Sequence, residues 1–434
     1  MLTPHYKVFV HPEADVHRME NRDGRVVLAI GDIFVAHGEL TVPDCLFRLA
    51  AGDRRVLDDL SGRFAVFVFD GVEGRLVHDP LGSQSVFYLP ETFGPVASHA
   101  ALLAQCEGLA VSARMSQYMR TDEYRDRSTR FLPGDLTVFD EVKHLIPNNE
   151  LDLRTGTTAR YWPWREARAT DFEQLLAVWD EYFASYVSFL NDRYTPVIGL
   201  TGGVDSRSVI ATLRALGLDA RFVTWDAMGA DEAARIPKLV EHLAAPHRWI
   251  RMSERQNLAD LEEIRSAARE AAGFTRGSPV LPAQMGEGAD PRDVFVKGLG
   301  GEVLRGPFNS RHKAYLPADP LELAYALFAG PVRHRAGALY STVTRQAING
   351  YLKRANYAAD LHGADVGDLV YWEQRMGTWT SVQHAELATT MHSHSAMNSR
   401  RLFEAAWGLP VDERFGKELL VRIMRHYDPA LAAL

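Results

Sequence analysis

The chain has 434 residues, 46% of them hydrophobic and 24% charged, and carries a net charge of −8. That length predicts two domains with ordinary globular cores, and the acidic balance argues against nucleic acid as the main partner. Two cysteines, Cys45 and Cys106, exclude a disulfide framework and a zinc knuckle, and point to a reducing, cytoplasmic setting. The N-terminal stretch lacks the basic-then-apolar pattern of a signal peptide, and no apolar run approaches the roughly eighteen residues of a membrane span.

The first 165 residues read as short strands broken by turns. Arg25–Ile30, Phe64–Phe69, Arg75–His78, Leu136–Phe139 and Glu150–Leu153 are the predicted strands, rich in Val, Ile, Leu and Phe. No helix–strand alternation occurs among them, which predicts an antiparallel, layered α+β domain. The rhythm changes near Glu166. Apolar residues at helical spacing predict a helix over Asp171–Leu190. Strands at Thr195–Leu200, Arg221–Trp225, His247–Met252 and Val294–Lys297 then alternate with helices at Asp205–Leu216, Asp231–Leu243 and Glu254–Ala271. That alternation implies right-handed crossovers and a parallel α/β sheet. Beyond Asp319 the pattern is almost wholly helical.

The segment TPVIGLTGGVDSRSVIATL, Thr195–Leu213, joins an apolar strand to an amphipathic helix through a turn with two glycines. Gly202 and Gly203 let the backbone turn sharply and bring its N–H groups to an anion, while the helix adds its N–H groups and positive dipole end. Thr201 and Ser206 add hydroxyl donors. Asp205 would repel a bare phosphate, and a magnesium ion between carboxylate and phosphate reconciles the two. The bland alternative is a strand-to-helix turn with Asp205 or Ser206 as cap. The flanking strand and helix favour the phosphate reading, with ATP bound by Leu200, Thr201, Gly202, Gly203, Asp205 and Ser206.

This string resembles the SGGxDS loop of the ATP-pyrophosphatase (adenine nucleotide α-hydrolase-like) superfamily, with Thr201 where serine is usual. Within it, the chain is similar to asparagine synthetase and β-lactam synthetase. LSGRFAVFVFD (Leu60–Asp70) with RLVHDPLGSQSVFY (Arg75–Tyr88) resembles their SGMFAF…RDxLGxxPLYY stretch. VASHAALLA (Val96–Ala104), DEAARIPKLVEHLAAPHRWI (Asp231–Ile250) and NSRRLFEAAWGLP (Asn398–Pro410) match further family segments in order. The resemblance implies a class II amidotransferase-like domain over 1–165 and an ATP-binding synthetase domain over 166–434. It implies an ATP- and magnesium-dependent ligase acting on a small-molecule carboxylate and an amine, and no membrane partner. Loops of the TGGxDSR kind look like those of tailoring enzymes as often as primary-metabolic ones, so asparagine is not the expected product. Self-association as a homodimer stays open.

Three departures shape the expectation. Leu2 stands where the family exposes a nucleophilic cysteine, and GDIFVAHGEL (Gly31–Leu40) replaces the glutamine-binding NGEIYN pattern. Glutamine hydrolysis is therefore not expected, and the amine comes from elsewhere. KGLGGEVLRGPF (Lys297–Phe308) stands for GxGxDExFxGY, with glycine for aspartate, leaving Glu302 as the second candidate metal ligand and Arg305 as a cation beside it. The catalytic lysine of the family's RxKxxF segment has no counterpart before Leu434, with Lys417, Lys297 and Arg305 as candidate substitutes.

Catalytic roles thus fall to Asp205, Glu302 and Arg305, and metal binding to Asp205 and Glu302. Trp225, at a strand end, is a candidate for the adenine or ribose, although a buried tryptophan is more often core. The resemblance places Glu373, Arg375 and Glu386 in the region lining the acceptor pocket, with a solvated helix face as the alternative. His392 and His394 are read as structural or substrate-contacting rather than metal-binding. Two competing readings remain: a catalytically degenerate nucleotide-binding homologue, and a tRNA-modifying enzyme with the same loop.

Overall fold

A computed structural model describes residues 5–125, 130–251, 261–275, 280–306 and 342–434. The N-terminal half opens with β1 (Val16–Glu20), β2 (Val26–Val35), β3 (Leu60–Asp70) and β4 (Glu73–His78). Three short strands follow, β5 (Phe87–Tyr88), β6 (Val96–Ala97) and β7 (Lys143–His144), then β8 (Asn149–Asp152) and β9 (Thr157–Arg160). They form a six-stranded antiparallel sheet in the order β1-β2-β3-β4-β8-β9 and a three-stranded sheet β6-β5-β7. One predicted strand is absent. Leu136 makes only an isolated bridge to Lys143, because the Thr137 hydroxyl closes a turn by donating to the Phe139 and Val142 carbonyls and accepting from the Phe139 N–H.

Helix Phe172–Arg193 follows, started by Asp171 and Gln174 in a reciprocal capping box. It buries Trp179, Tyr182, Phe183 and Tyr186. Then come β10 (Thr195–Gly199), β11 (Arg221–Trp225), β12 (His247–Ile250), β13 (Asp293–Lys297) and β14 (His392–Ser395). All are parallel, in the order β12-β11-β10-β13-β14. The fold class is therefore as expected, an antiparallel α+β half followed by a parallel α/β half. Helix Val204–Ala215 appears as predicted. The predicted helix over Asp231–Leu243 is two pieces, Ala230–Ala233 and Ile236–Leu243, the second opening with Pro237 in its first turn. The helix predicted from Glu254 is described only as Leu261–Ala271, and much of the expected helical region after Asp319 lies outside the described residues.

β14 was not foreseen, because HSHS carries no apolar signal. It is a strand because its polar side chains find partners: His384 bonds the Ser393 hydroxyl through Nδ1 (2.7 Å) and the Ser395 hydroxyl through Nε2 (2.9 Å). His394 pairs with Asp32 of β2 at 2.7 Å, a structural role. The two halves share one main core that takes Val27, Phe64 and Trp162 from one side of residue 165 and Trp179, Ile198 and Trp372 from the other.

Polar contacts reinforce that junction. Asn398 donates to Asp79 (2.8 Å) and to the Gly62 carbonyl (2.6 Å) and accepts from the Leu81 N–H (2.8 Å). Glu373 meets Arg160 in a bidentate pair at 2.6 and 2.9 Å and accepts from Tyr357 (2.8 Å) and Asn148 (3.2 Å). Its place is thus a buried ion pair between the halves. Removing one partner of such a pair strands the other charge, so Arg160→Met is expected to cost about 3–5 kcal/mol in chemical denaturation. A loss below about 1 kcal/mol, the scale of an exposed pair, would show that the junction does not rely on it.

Burial also sets an acid limit. It lowers the imidazoles of His37 to about 4 and His144 to about 3. Below the ordinary histidine value of about 6.5 the unfolded chain takes up protons that the folded chain refuses, so stability falls as pH falls. Asp58, pushed up to about 6 by burial, acts the other way over the same interval. At pH 5 these two imidazoles cost about 2 kcal/mol each, against about 1 kcal/mol returned by Asp58 and about 2–3 kcal/mol by Asp368, pushed up to about 7 by burial. The buried imidazoles of His384 and His78, lowered as well, tip the balance toward loss. The urea midpoint is expected to be lower at pH 5 than at pH 7.5; an unchanged or higher midpoint would contradict this.

Candidate active site

The sheet order places β10 between β11 and β13, so the chain moves outward to β12 and then returns to the other side of β10. Ligands in open parallel sheets sit beyond the strand C-termini at this reversal. The register sets Ile198 level with Val296, so the loops after Gly199 and Lys297 leave the sheet side by side.

The first loop is anchored by Leu200, fully buried, whose N–H donates to the Val223 carbonyl (2.8 Å) while its own carbonyl accepts from Thr224 (2.8 Å). Thr201 folds the turn: its hydroxyl accepts from the Gly203 N–H (3.2 Å) and bonds the Ser206 hydroxyl (2.6 Å). Neither Gly202 nor Gly203 adopts positive φ. Both glycines serve by leaving space rather than by turning through a left-handed conformation. A Cβ at Gly202 would lie 3.1 Å from Glu232 Cγ, and one at Gly203 would lie 3.3 Å from the Thr201 hydroxyl. Gly203, at φ −72 and ψ 149, precedes helix Val204–Ala215, which puts Asp205 in the first turn.

The second loop needs its glycines more strictly. A Cβ on Gly298 would stand 2.7 Å from Ser206 Cα, and one on Gly300, at φ +105, would stand 2.2 Å from the Met397 carbonyl oxygen. A Cβ on Gly301 would fall 2.1 Å from Asp205 Oδ1. A side chain at position 301 would have to push the Asp205 carboxylate aside, and the carboxylate of this loop is that of Glu302, in the short helix Gly301–Arg305.

These loops gather the three residues assigned catalytic roles from sequence. Arg305 donates to both Asp205 oxygens, Nε to Oδ1 at 3.3 Å and a terminal nitrogen to Oδ2 at 3.2 Å. Glu302 Oε2 is buried without a hydrogen-bond partner. Burial, and next the nearby Asp205 charge, raise the Glu302 carboxyl above its usual range. Although burial works against the Arg305 charge, Asp205 and Glu302 keep that guanidinium raised. A magnesium ion suits this donor set, since it takes hard oxygens and completes its shell with phosphate and water. Among the described residues no three His, Cys, Asp or Glu side chains converge as a self-sufficient metal site, so Asp205 and Glu302 would share the ion with a ligand.

The sequence reading missed Tyr371. A π-helical turn, Tyr371–Met376, breaks the helical register before helix Gly377–Leu387. Burial, followed by the Glu302 charge, raises the Tyr371 hydroxyl, and Arg375 also acts on Glu302. Arg375 stacks over Trp379 at 3.6 Å. No spacing rule forecasts such a turn, and the aromatic YW pair was its only sequence cue. Trp225 ends β11, half-buried and edge-on to Phe295 at 6.4 Å. Lys297 bonds Gln383 at the end of β13, whereas Lys417 is exposed. Glu386 is buried, and Phe308, with the end of the KGLGGEVLRGPF segment, lies outside the described residues.

A parallel sheet whose switch point carries a glycine-rich anion loop and two carboxylates defines a nucleotide-site architecture. A sequence-family model for asparagine synthase matches residues 196–431, more than half the chain, and the protein belongs to that family. At family level this makes it an ATP-dependent, amide-forming ligase of the ATP-pyrophosphatase type. A comparison with curated proteins finds no match. Among the described residues no helix is long and apolar enough to cross a membrane.

The two glycine contacts give a graded test. At Gly298 the obstacle is backbone, whereas at Gly301 it is the end of a side chain that can swing away. Gly298→Ala is therefore expected to lower stability by about 1–3 kcal/mol or more. Gly301→Ala should cost less in thermal melting yet displace Asp205 and weaken ATP binding. Equal melting losses with unchanged ATP affinity would contradict the interlocked geometry.

Proposed function

We propose that the chain adenylates a small-molecule carboxylate with ATP, releases pyrophosphate, and joins the activated acid to an amine that does not come from glutamine. The observation that carries this reading is the interlock of the two strand-end loops, which sets Asp205, Glu302 and Arg305 together beside an anion-binding helix start. In this reading residues 166–434 form the synthetase domain. Residues 1–165 form an amidotransferase-like domain without hydrolytic chemistry. This reading assigns neither cysteine a nucleophilic role: Cys45 is buried with its thiol pushed up to about 12 by that burial, and Cys106 lies on helix Ala100–Glu107, far along the chain from Leu2.

In the mechanism, loop N–H groups with Thr201 and Ser206 hold the departing phosphates, a preorganised electrostatic role. Arg305 supplies a second positive charge on the phosphate side. Asp205 and Glu302 would hold magnesium, which when bound neutralises phosphate charge and orients the triphosphate. The substrate carboxylate attacks the α-phosphorus, the bond to the β-phosphate oxygen breaks, and pyrophosphate leaves. The amine nitrogen then attacks the acyl carbon, AMP departs and the nitrogen gives up its proton. In this reading Trp225, at the end of β11, contacts the adenine or ribose, and Lys297, at the end of the neighbouring β13, is the candidate for the second step.

One observation favours a binding-only homologue: Arg305 already engages the carboxylate that the metal needs. Asp205→Asn discriminates. It is expected to reduce ATP-dependent pyrophosphate release at least about a hundredfold, the scale of losing a central charge-stabilising group. Release that survives the substitution would remove Asp205 from the mechanism. A parent chain that binds ATP and releases none with any acid would establish the binding-only homologue.

A further inference from the structure

We propose that Glu232 is an internal competitor for the phosphate seat, a carboxylate that must leave Gly202 before the phosphates of ATP can take its N–H. This rests on the reading of Leu200–Ser206 as the phosphate-binding loop. Glu232 Oε1 accepts the Gly202 N–H at 3.0 Å. A backbone N–H has one hydrogen to give, and a carboxylate and a phosphate are both anionic acceptors, so the two exclude each other by geometry and by charge. The glycine is what admits the carboxylate, since a Cβ at Gly202 would stand 3.1 Å from Glu232 Cγ and 3.8 Å from its Cα.

The segment that carries Glu232 is built to let go. Helix Ala230–Ala233 has four residues and buries none of them. It starts at Gly229, around whose absent Cβ there is nothing within 4 Å. Such a segment opens at little cost, because no apolar burial is lost when it moves. Arg305 gives the other half of the crevice the same arrangement, a guanidinium seated on the carboxylate that a metal would use. The crevice is thus neutralised by side chains that carry the charges of the ligand itself, and a ligand gains entry only by displacing them.

The sign of the effect separates this role from a direct one. A residue that helps to hold ATP weakens binding when removed, whereas a competitor strengthens it. The apparent affinity of a site is its intrinsic affinity reduced by the fraction of molecules in the open form. With Glu232 released in roughly one molecule in ten, Glu232→Ala is expected to bind about tenfold more tightly. Glu232→Gln should fall between, because it keeps the acceptor and loses the charge. The measurement is calorimetric titration of the full chain with inorganic pyrophosphate, and with magnesium and a non-hydrolysable ATP analogue. Melting temperatures serve as a control that each variant folds. Tighter binding in the order Ala, Gln, parent supports the proposal. Equal or weaker binding in Glu232→Ala, with the parent still binding, overturns it and leaves the phosphate loop intact. No binding by parent or variants overturns the loop reading and this proposal with it.

Discussion

Two backbone loops in this protein approach so closely that one must be nearly bare of side chains. Gly298, Gly300 and Gly301 press against Ser206, Met397 and Asp205 at separations that would not admit a Cβ. The contact follows from sheet order: β13 returns beside β10, and the loops leaving them share one edge. Asp205 lies in the space a side chain at 301 would use, so the glycine that looks like a lost aspartate in sequence is what lets the Asp205 carboxylate take this position. Glu302, next along the chain, is buried close enough to Asp205 to feel its charge, and its Oε2 lacks a partner. The carboxylate chemistry depends on this approach, and the approach depends on the parallel pairing.

Much of this was legible beforehand, for identifiable reasons. β10, β11 and β13 are short, largely apolar and buried, and they alternate with helices, the pattern that reads as a parallel sheet. Helix Phe172–Arg193 announces itself by apolar residues at helical spacing. The loop residues Thr201 to Ser206 were legible because a strand, two glycines and a helix start occur in that order. What escaped was structure held by polar partners distant in sequence. β14 depends on His384 and on Asp32, and nothing in HSHS records either. Glu373 reads as a residue of an acceptor pocket or of a solvated helix face, and it is neither solvated nor recognisable in sequence as what it is, the partner of Arg160 in the other half. Tyr371 reaches the site through a π-helical turn that no periodicity encodes.

The two halves are coupled through the resemblance-bearing segments themselves. HDPLG and NSRR meet where Asn398 bonds Asp79, Gly62 and Leu81. Arg400, buried in the next turn, reaches the Leu57 carbonyl and Asn148 at 3.3 Å each. Those motifs are thus explained by docking rather than by chemistry at the nucleotide. The N-terminal half has a structural role whatever its chemistry, since the half matched by the family model shares its main core with it.

The most direct measurement is an experimental structure of the full chain with magnesium and a non-hydrolysable ATP analogue. The expected result is β- and γ-phosphates seated on the N–H groups of Gly202–Ser206 at the C-terminal edge of β10, with Asp205 and Glu302 facing the metal. Phosphates bound away from that edge, or at the opposite ends of the parallel strands, would contradict the account.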